Sequence, residues 1–334
     1  VKLFVSVDME GVAGVTHWEQ VEPGSREYET GRRLMLGELN AALQGAFEGG
    51  AEAVVVNDSH ADMRNLSPEG IWRPPGMEAR VRLITGGLKD LSMMEGIQEG
   101  GYAGAIFLGY HGMAGKSGVL SHTYCSRTVC AVRLNGSLVG EATLNAALAG
   151  AYQVPVLFFS GEAAAVEEAW AILGGVPSVV TKAARSRYSA ASLLPEDARA
   201  LIRRGVKEAV ERLREFREEE RRRKVTPLPV KSGEARGGSN EEGEGERGSS
   251  GEEAEVSGSE TEPEKEARPP FSPWLPPKPY ILEVAFFHPG MADAASLLPD
   301  SYRRDPLTVA YRTEDYLKCF RAFRCLLYLA RTGM

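Results

Sequence analysis

The sequence predicts an α/β protein. A mostly parallel sheet flanked by helices, in a Rossmann-like three-layer arrangement, is joined by a smaller α+β unit toward the C-terminus. Three observations carry this. Short apolar runs alternate with helical patterns through the first half of the chain. The tail after residue 279 reads strand, strand, helix. The 334 residues, 43% apolar and 25% charged, have the length and mix of a globular chain of about two domains.

Lys2–Val7 reads as the first strand. Gly31–Phe47 carries apolar residues at helical spacing (Leu34, Leu36, Leu39, Ala42, Leu43, Phe47) and stops at Gly49-Gly50. Ala53–Val56 and Ala105–Leu108 are further strands, and Val119–Leu134 reads as a pair of strands before an Asn135-Gly136 turn. Glu141–Tyr152 is helical; strand Val156–Phe159, helix Glu162–Leu173 and strand Ser178–Thr181 follow. Pro195–Arg223 is a long charged helix with one apolar stripe, and its closing Arg221-Arg222-Arg223 suits the helix dipole. Tyr280–Phe287 and Leu307–Tyr311 are strands and Glu314–Ala330 a helix. The expected division is a catalytic α/β domain over 1–182, a smaller α+β unit from 183–230 with 272–334, and an insertion over 231–271.

That insertion is rich in Glu, Gly and Ser and almost free of apolar residues, so disorder is expected there. Lys231–Pro270 holds 12 acids and 5 bases, which accounts for the whole net charge of −7. The remainder balances, so no broad basic field for nucleic acid is expected. No apolar stretch reaches the ~18 residues of a membrane span, and the N-terminal apolar run is too short for a signal peptide. The four cysteines form no C-x-x-C pair and are expected as small buried hydrophobes. A cytoplasmic protein is therefore expected. No G-x-G-x-x-G, Walker A or G-x-S-x-G sequence is present, which disfavours nucleotide and serine-hydrolase sites.

The chemistry concentrates at strand ends. The runs Val7-Asp8-Met9-Glu10, Val56-Asn57-Asp58-Ser59-His60 and Leu108-Gly109-Tyr110-His111 each close an apolar strand with metal-type ligands. Ligands of open parallel sheets bind beyond the carboxyl ends of strands, so Asp8, Glu10, His60 and His111 are expected in one crevice. Two acids ending a buried strand are costly without a cation. Asp58 either orients His60 or makes an Asx turn. His122 is a satisfied core histidine or a member of the site, and Glu141 a helix-start carboxylate or a ligand. His17 and His288 are expected to be structural or exposed. Mixed His and carboxylate donors suit zinc. Five of them exceed what one catalytic zinc needs, so a pair of ions bridged by Asp8 is expected.

These blocks, with Ser121-His122 and Gly140-Glu141, resemble the M55 metallopeptidases, the D-aminopeptidase family. The resemblance runs from residue 1 to about 230 and again from about 279. It implies an aminopeptidase with two zinc ions per subunit, removing N-terminal D-residues from short peptides such as D-Ala-D-Ala by a metal-activated hydroxide. Asp8, Glu10, His60, His111 and Glu141 would be the ligands and His122 the catalytic histidine. It also implies a homo-oligomer, a ring-shaped decamer. Two departures stand out: the acidic insertion, and Gly161-Glu162-Ala163 where Gly-Asp-Asp is expected. The residues alone leave open a two-metal phosphoesterase or deacylase, or a non-catalytic metal-containing peptide-binding protein.

Overall fold

The computed structural model describes residues 1–225 and 271–333. The expected insertion over 231–271 lies outside the described residues, apart from its last one. In chain order the elements are β1 (Lys2–Val7), α1 (Tyr28–Glu48), β2 (Ala53–Asp58), β3 (Val81–Ile84), β4 (Tyr102–Tyr110), β5 (Val129–Leu134) and β6 (Ser137–Leu138). Then come α2 (Glu141–Ala151), β7 (Val156–Glu162), α3 (Ala163–Leu173), β8 (Ser178–Ser186), β9 (Ser189–Ser192) and α4 (Pro195–Val225). The last are β10 (Tyr280–Phe286), α5 (Pro289–Ala295), β11 (Ser301–Arg303), β12 (Thr308–Thr313) and α6 (Tyr316–Ala330).

Seven strands form the main sheet in the order β3-β2-β1-β4-β7-β8-β9, parallel except for β9. β1 and β4 are apolar almost throughout because both faces are covered. Alternate residues of β1 serve two cores. Leu3, Val5 and Val7 pack with Met35, Leu39 and Leu43 of α1 and with Ile202, Val206 and Val210 of α4. Phe4 faces the opposite core, shared with Leu144 and Leu148 of α2, Val166 of α3 and Phe320 and Phe323 of α6. Each such side chain taken from water contributes about 1.5–3 kcal/mol. This is the α/β three-layer arrangement the sequence predicts. The antiparallel sheet β11-β12-β10-β5-β6 forms the smaller unit, with α6 packed on it.

The order of the sheet sets the site. The chain leaves β1 for β2 and β3 on one side, then crosses back to β4 on the other. The gap between β1 and β4 is thus a topological switch point, where α/β sheets open a crevice. Val7 lies opposite both Asp58 and Leu108, so three strands end at one level.

Some expectations shift. The run from Val119 is not a strand pair: residues 111–128 form a partly buried loop, and only Val129–Leu134 and Ser137–Leu138 are extended. Val119 and Leu120 are fully buried all the same, so their apolar character reflects loop packing. The elements also cross the expected division at residue 182. β8 runs through it, β5 and β6 belong to the smaller sheet, and α4 packs on α1. The α1–α4 crossing is close enough that a Cβ on Gly45 would sit 2.2 Å from the Arg203 carbonyl oxygen.

Candidate metal centre

Asp8, Glu10, His60, His111, Glu141 and His122 come together at the switch point, every one buried. Asp8 leaves β1 with its N–H bonded to the Leu108 carbonyl at 2.8 Å, and Gly11 N–H reaches the Gly109 carbonyl at 2.7 Å. This close approach requires glycine. A Cβ on Gly11 would lie 1.8 Å from the Tyr110 carbonyl oxygen, and Gly109 has φ +70° beside the Asp8 carbonyl. His60 lies two residues past β2, His111 follows β4, and Glu141 opens α2.

Asp8 faces both ways. Its Oδ1 lies 3.3 Å from His60 Nδ1, and its Oδ2 lies 3.4 Å from His111 Nε2. Glu10 Oε2 is 2.9 Å from His60 Nδ1, and Glu141 Oε1 is 3.5 Å from His111 Nε2. Three compact triads result: Asp8–Glu10–His60 and Asp8–His111–Glu141, which share Asp8, and Glu10–His111–His122. His122 Nε2 stands further off, 3.8 Å from Glu10 Oε1, with its ring stacked 4.1 Å from that of His111.

Each imidazole is fixed from behind by a backbone carbonyl, which can only accept. His60 Nε2–H donates to Val21 O at 2.7 Å, His111 Nδ1–H to Gly112 O at 3.0 Å and His122 Nδ1–H to Leu120 O at 2.8 Å. The opposite nitrogen of every ring therefore faces the carboxylates, the orientation a metal ligand needs.

The donors fit a cation. Asp8 Oδ2 is buried without a hydrogen-bond partner, and Glu10 Oε2 is close to His60 Nδ1 but poorly aligned for a hydrogen bond. Two ligands of one tetrahedral ion at bond lengths of ~2.0–2.2 Å lie roughly 3.2–3.6 Å apart. Three of the four closest approaches match that bite and are long for hydrogen bonds. The charges point the same way. Burial, with the Glu10 charge adding, pushes the Asp8 carboxyl up to about 7. Burial would also raise Glu10, but His60 beside it holds its carboxyl well below the usual range. Burial works against a charged His111, yet Glu141, Glu10 and Asp8 raise it to about 10. The cluster thus demands positive charge, and a divalent cation would take the place of the histidine protons. His122 is different: burial and the His111 charge lower it to about 4, so its Nε2 stays a free base at neutral pH.

Other residues hold this set in place. Asp58 does not touch the His60 ring. It accepts from Asn65 N at 2.6 Å, Asn65 Nδ2 at 2.7 Å and Leu66 N at 2.8 Å, closing the turn after β2. Glu162 accepts from Gly112 N at 3.2 Å and from Val119 N, so it organises the loop bearing His111 and His122 and does not line the cavity. Glu168 of α3 accepts from Gly140 N at 2.8 Å and Thr143 N at 3.1 Å, capping the helix that presents Glu141. Lys182 of β8 donates to the carbonyls of Glu10, Val12 (2.8 Å) and Val15 (2.7 Å) and so fixes the backbone of Glu10. The sequence reading missed the roles of Lys182, Glu162 and Glu168. Glu162 alone carried a signal, a charged residue at the end of a buried strand; Lys182 and Glu168 lie in partly exposed elements. His17 and His288 are exposed, as expected; Cys130 and Cys325 are exposed and only Cys319 is buried, against the expectation for the cysteines.

The cluster opens into a cavity of about 770 Å³, walled by Trp18 and Val21 on one side and by Arg324, Leu327 and Tyr328 of α6 on another. A buried carboxylate and imidazole cluster beyond the strand ends of a parallel sheet, open to such a cavity, defines a metal-dependent hydrolase. Residues 1–231 and 254–325 match the Peptidase_M55 model, described as D-aminopeptidase. The chain belongs to the M55 peptidases and is a metallo-aminopeptidase of that family. It is 39% identical over 204 residues to the D-aminopeptidase of Bacillus subtilis (strain 168), covering 60% of this chain and 70% of that one. It is also similar to the solved structure of the Zn-dependent D-aminopeptidase DppA from Bacillus subtilis, described as a self-compartmentalizing protease. That match has a TM-score of 0.74 and 29% identity over 99% of this chain and 98% of the other.

Proposed function

We propose that the chain is a two-zinc aminopeptidase that removes N-terminal D-residues from short peptides such as D-Ala-D-Ala. Asp8, Glu10, His60, His111 and Glu141 are the ligands and His122 the catalytic base. The observation that carries this is Asp8, whose two carboxylate oxygens each face a different histidine and so suit a bridge between two ions. When bound, zinc supplies polarisation of the peptide carbonyl and a lowered pKa for water.

The chain's own residues do the rest. The carboxylates of Glu10 and Glu141 offer the substrate's free amine an acidic environment. His122 holds a lone pair on Nε2, because Nδ1–H is committed to Leu120 O. It can take a proton from the attacking water and return it to the leaving amine. Trp18 packs edge-on against its ring, at 5.4 Å between centroids, and limits water around it. Among the described residues no helix is long and apolar enough to cross a membrane. The four free cysteines support a reducing, cytoplasmic location. The similarity to a self-compartmentalizing protease supports a homo-oligomer, which we read as a ring-shaped decamer.

The test pairs hydrolysis of D- and L-alanyl dipeptides, with and without chelator, with metal analysis and light scattering. Expected are two zinc ions per chain, D-selective turnover abolished by chelator, and a mass near tenfold the 36.2 kDa of one chain. Cleavage of phosphoesters alone would overturn the peptidase reading. One ion per active chain would overturn the bridge, and a 36.2 kDa species the ring.

A further inference from the structure

The cavity carries basic as well as acidic side chains, and part of the basic set is unspent. Five lysine and arginine side chains line it: Arg64, Lys89, Arg127, Arg324 and Arg331. Three are committed. Arg64 pairs with Asp62 at 2.6 Å and Arg127 with Glu22 at 3.4 Å. Lys89 Nζ donates to Asn57 Oδ1 at 2.7 Å and to the Asp58 carbonyl at 2.6 Å. Arg324 and Arg331, one above the other on the C-terminal helix side, meet no carboxylate among the described residues.

Arg324 is the better placed of the two. It is half-buried, whereas Arg331 is exposed. Its Nη1 donates to the Lys89 carbonyl at 3.3 Å and its Nη2 to Tyr328 Oη at 2.8 Å, so the guanidinium is held before any ligand arrives. Its charge acts on Tyr124, whose backbone N–H in turn donates to Glu141 Oε1 at 2.6 Å. One side chain therefore separates this cation from the carboxylates of the metal centre. A half-buried guanidinium without a counter-ion, facing a cavity, invites a carboxylate in fork geometry.

We propose that Arg324 binds the C-terminal carboxylate of the substrate and thereby restricts the enzyme to short peptides with a free C-terminus. This rests on the aminopeptidase reading above and adds the determinant of substrate length. The amine sits at the acidic cluster, the carboxylate at Arg324, and the scissile carbonyl is held between them. Blocking the C-terminus removes the anion and leaves the reacting bond unaltered.

The experiment compares kcat and KM of the zinc-loaded enzyme on D-Ala-D-Ala and on its C-terminal amide. The wild type should prefer the acid by roughly 10–100-fold in kcat/KM, the range of a charge-assisted hydrogen bond to a carboxylate, with the difference chiefly in KM. Arg324→Met should collapse that ratio toward one, and Arg324→Lys should restore part of it. Equal kcat/KM for acid and amide in the wild type overturns the anchor and leaves the aminopeptidase standing. An acid preference that survives Arg324→Met also overturns it. Hydrolysis of neither peptide overturns the functional reading itself.

Discussion

At the scale of the residue, His122 is set apart from the five proposed ligands by geometry and by charge. It is the most distant of the three imidazoles from a carboxylate, at 3.8 Å, and the one whose basicity falls, to about 4. Of the three compact triads, the two that share Asp8 form without His122, and on the proposed ligand set His122→Ala should leave zinc content at the wild-type value. Turnover of D-Ala-D-Ala should drop by roughly 10²–10⁴-fold, the usual contribution of a positioned acid–base group. Loss of metal in that variant would make His122 a ligand instead. Asp8, Glu10, His60 and His111 were legible in the sequence because each lies just past the end of an apolar strand, whereas Glu141 at a helix start and His122 in a loop were singled out by the family resemblance. Lys182, Glu162 and Glu168 were not. Lys182 acts on carbonyls about 170 positions away, and no spacing rule links a lysine in one strand to the backbone after another. Glu162 stood in the reading as a departure from an expected acid pair. Its bonds to Gly112 and Val119 make it a brace for the loop.

At the scale of the element, α1 carries a polar residue on its buried face. Glu38 is 1% exposed; its Oε1 accepts the Ala13 N–H at 2.8 Å and its Oε2 has no partner. Burial pushes this carboxyl up to about 7, although Ala13, Lys182 and Arg199 oppose the shift. In the unfolded chain it titrates near 4.5. Between those values the native state holds a proton that the unfolded state has released. Stability from this group is therefore full below pH 4.5 and is lost as pH rises through 7. The loss is ~3 kcal/mol from a shift of this size. Glu38→Gln keeps an oxygen for Ala13 and carries no charge, so its melting temperature should gain on the wild type as pH goes from 5 to 8. A constant difference across that range would refute the assignment. The elements themselves were mostly legible, since β1, β2, β4, β7 and α2 are long apolar or periodic runs. The short β3, β9 and β11, with three or four residues each, carry too little pattern to be read. The loop at Val119-Leu120 misled because burial makes a loop as apolar as a strand.

At the scale of the whole molecule, the centre draws on three neighbouring strands of the main sheet and on one helix. Its donors come from the ends of β1, β2 and β4 and from the start of α2, spread from Asp8 to Glu141. Their convergence depends on the sheet order, which puts β4 beside β1 and which the sequence did not reveal, because strand succession does not say on which side a crossover lands. Three carboxylates packed this closely repel one another without a cation, and only the native chain presents all of them at once. Zinc should therefore stabilise the fold by mass action, by ~4 kcal/mol for each site held at about a thousand times its dissociation constant. With ~2–4 °C gained per kcal/mol in chains of this general size, loss of both ions, ~8 kcal/mol, should lower the melting temperature by roughly 15–30 °C, reversibly on adding zinc. Asp8→Asn weakens together the two triads that share it and should abolish most of that zinc-dependent shift. His288→Ala, exposed and outside the cavity, should keep all of it. A shift that persists in Asp8→Asn would mean that zinc binds elsewhere on the chain and that these strand ends are not its site.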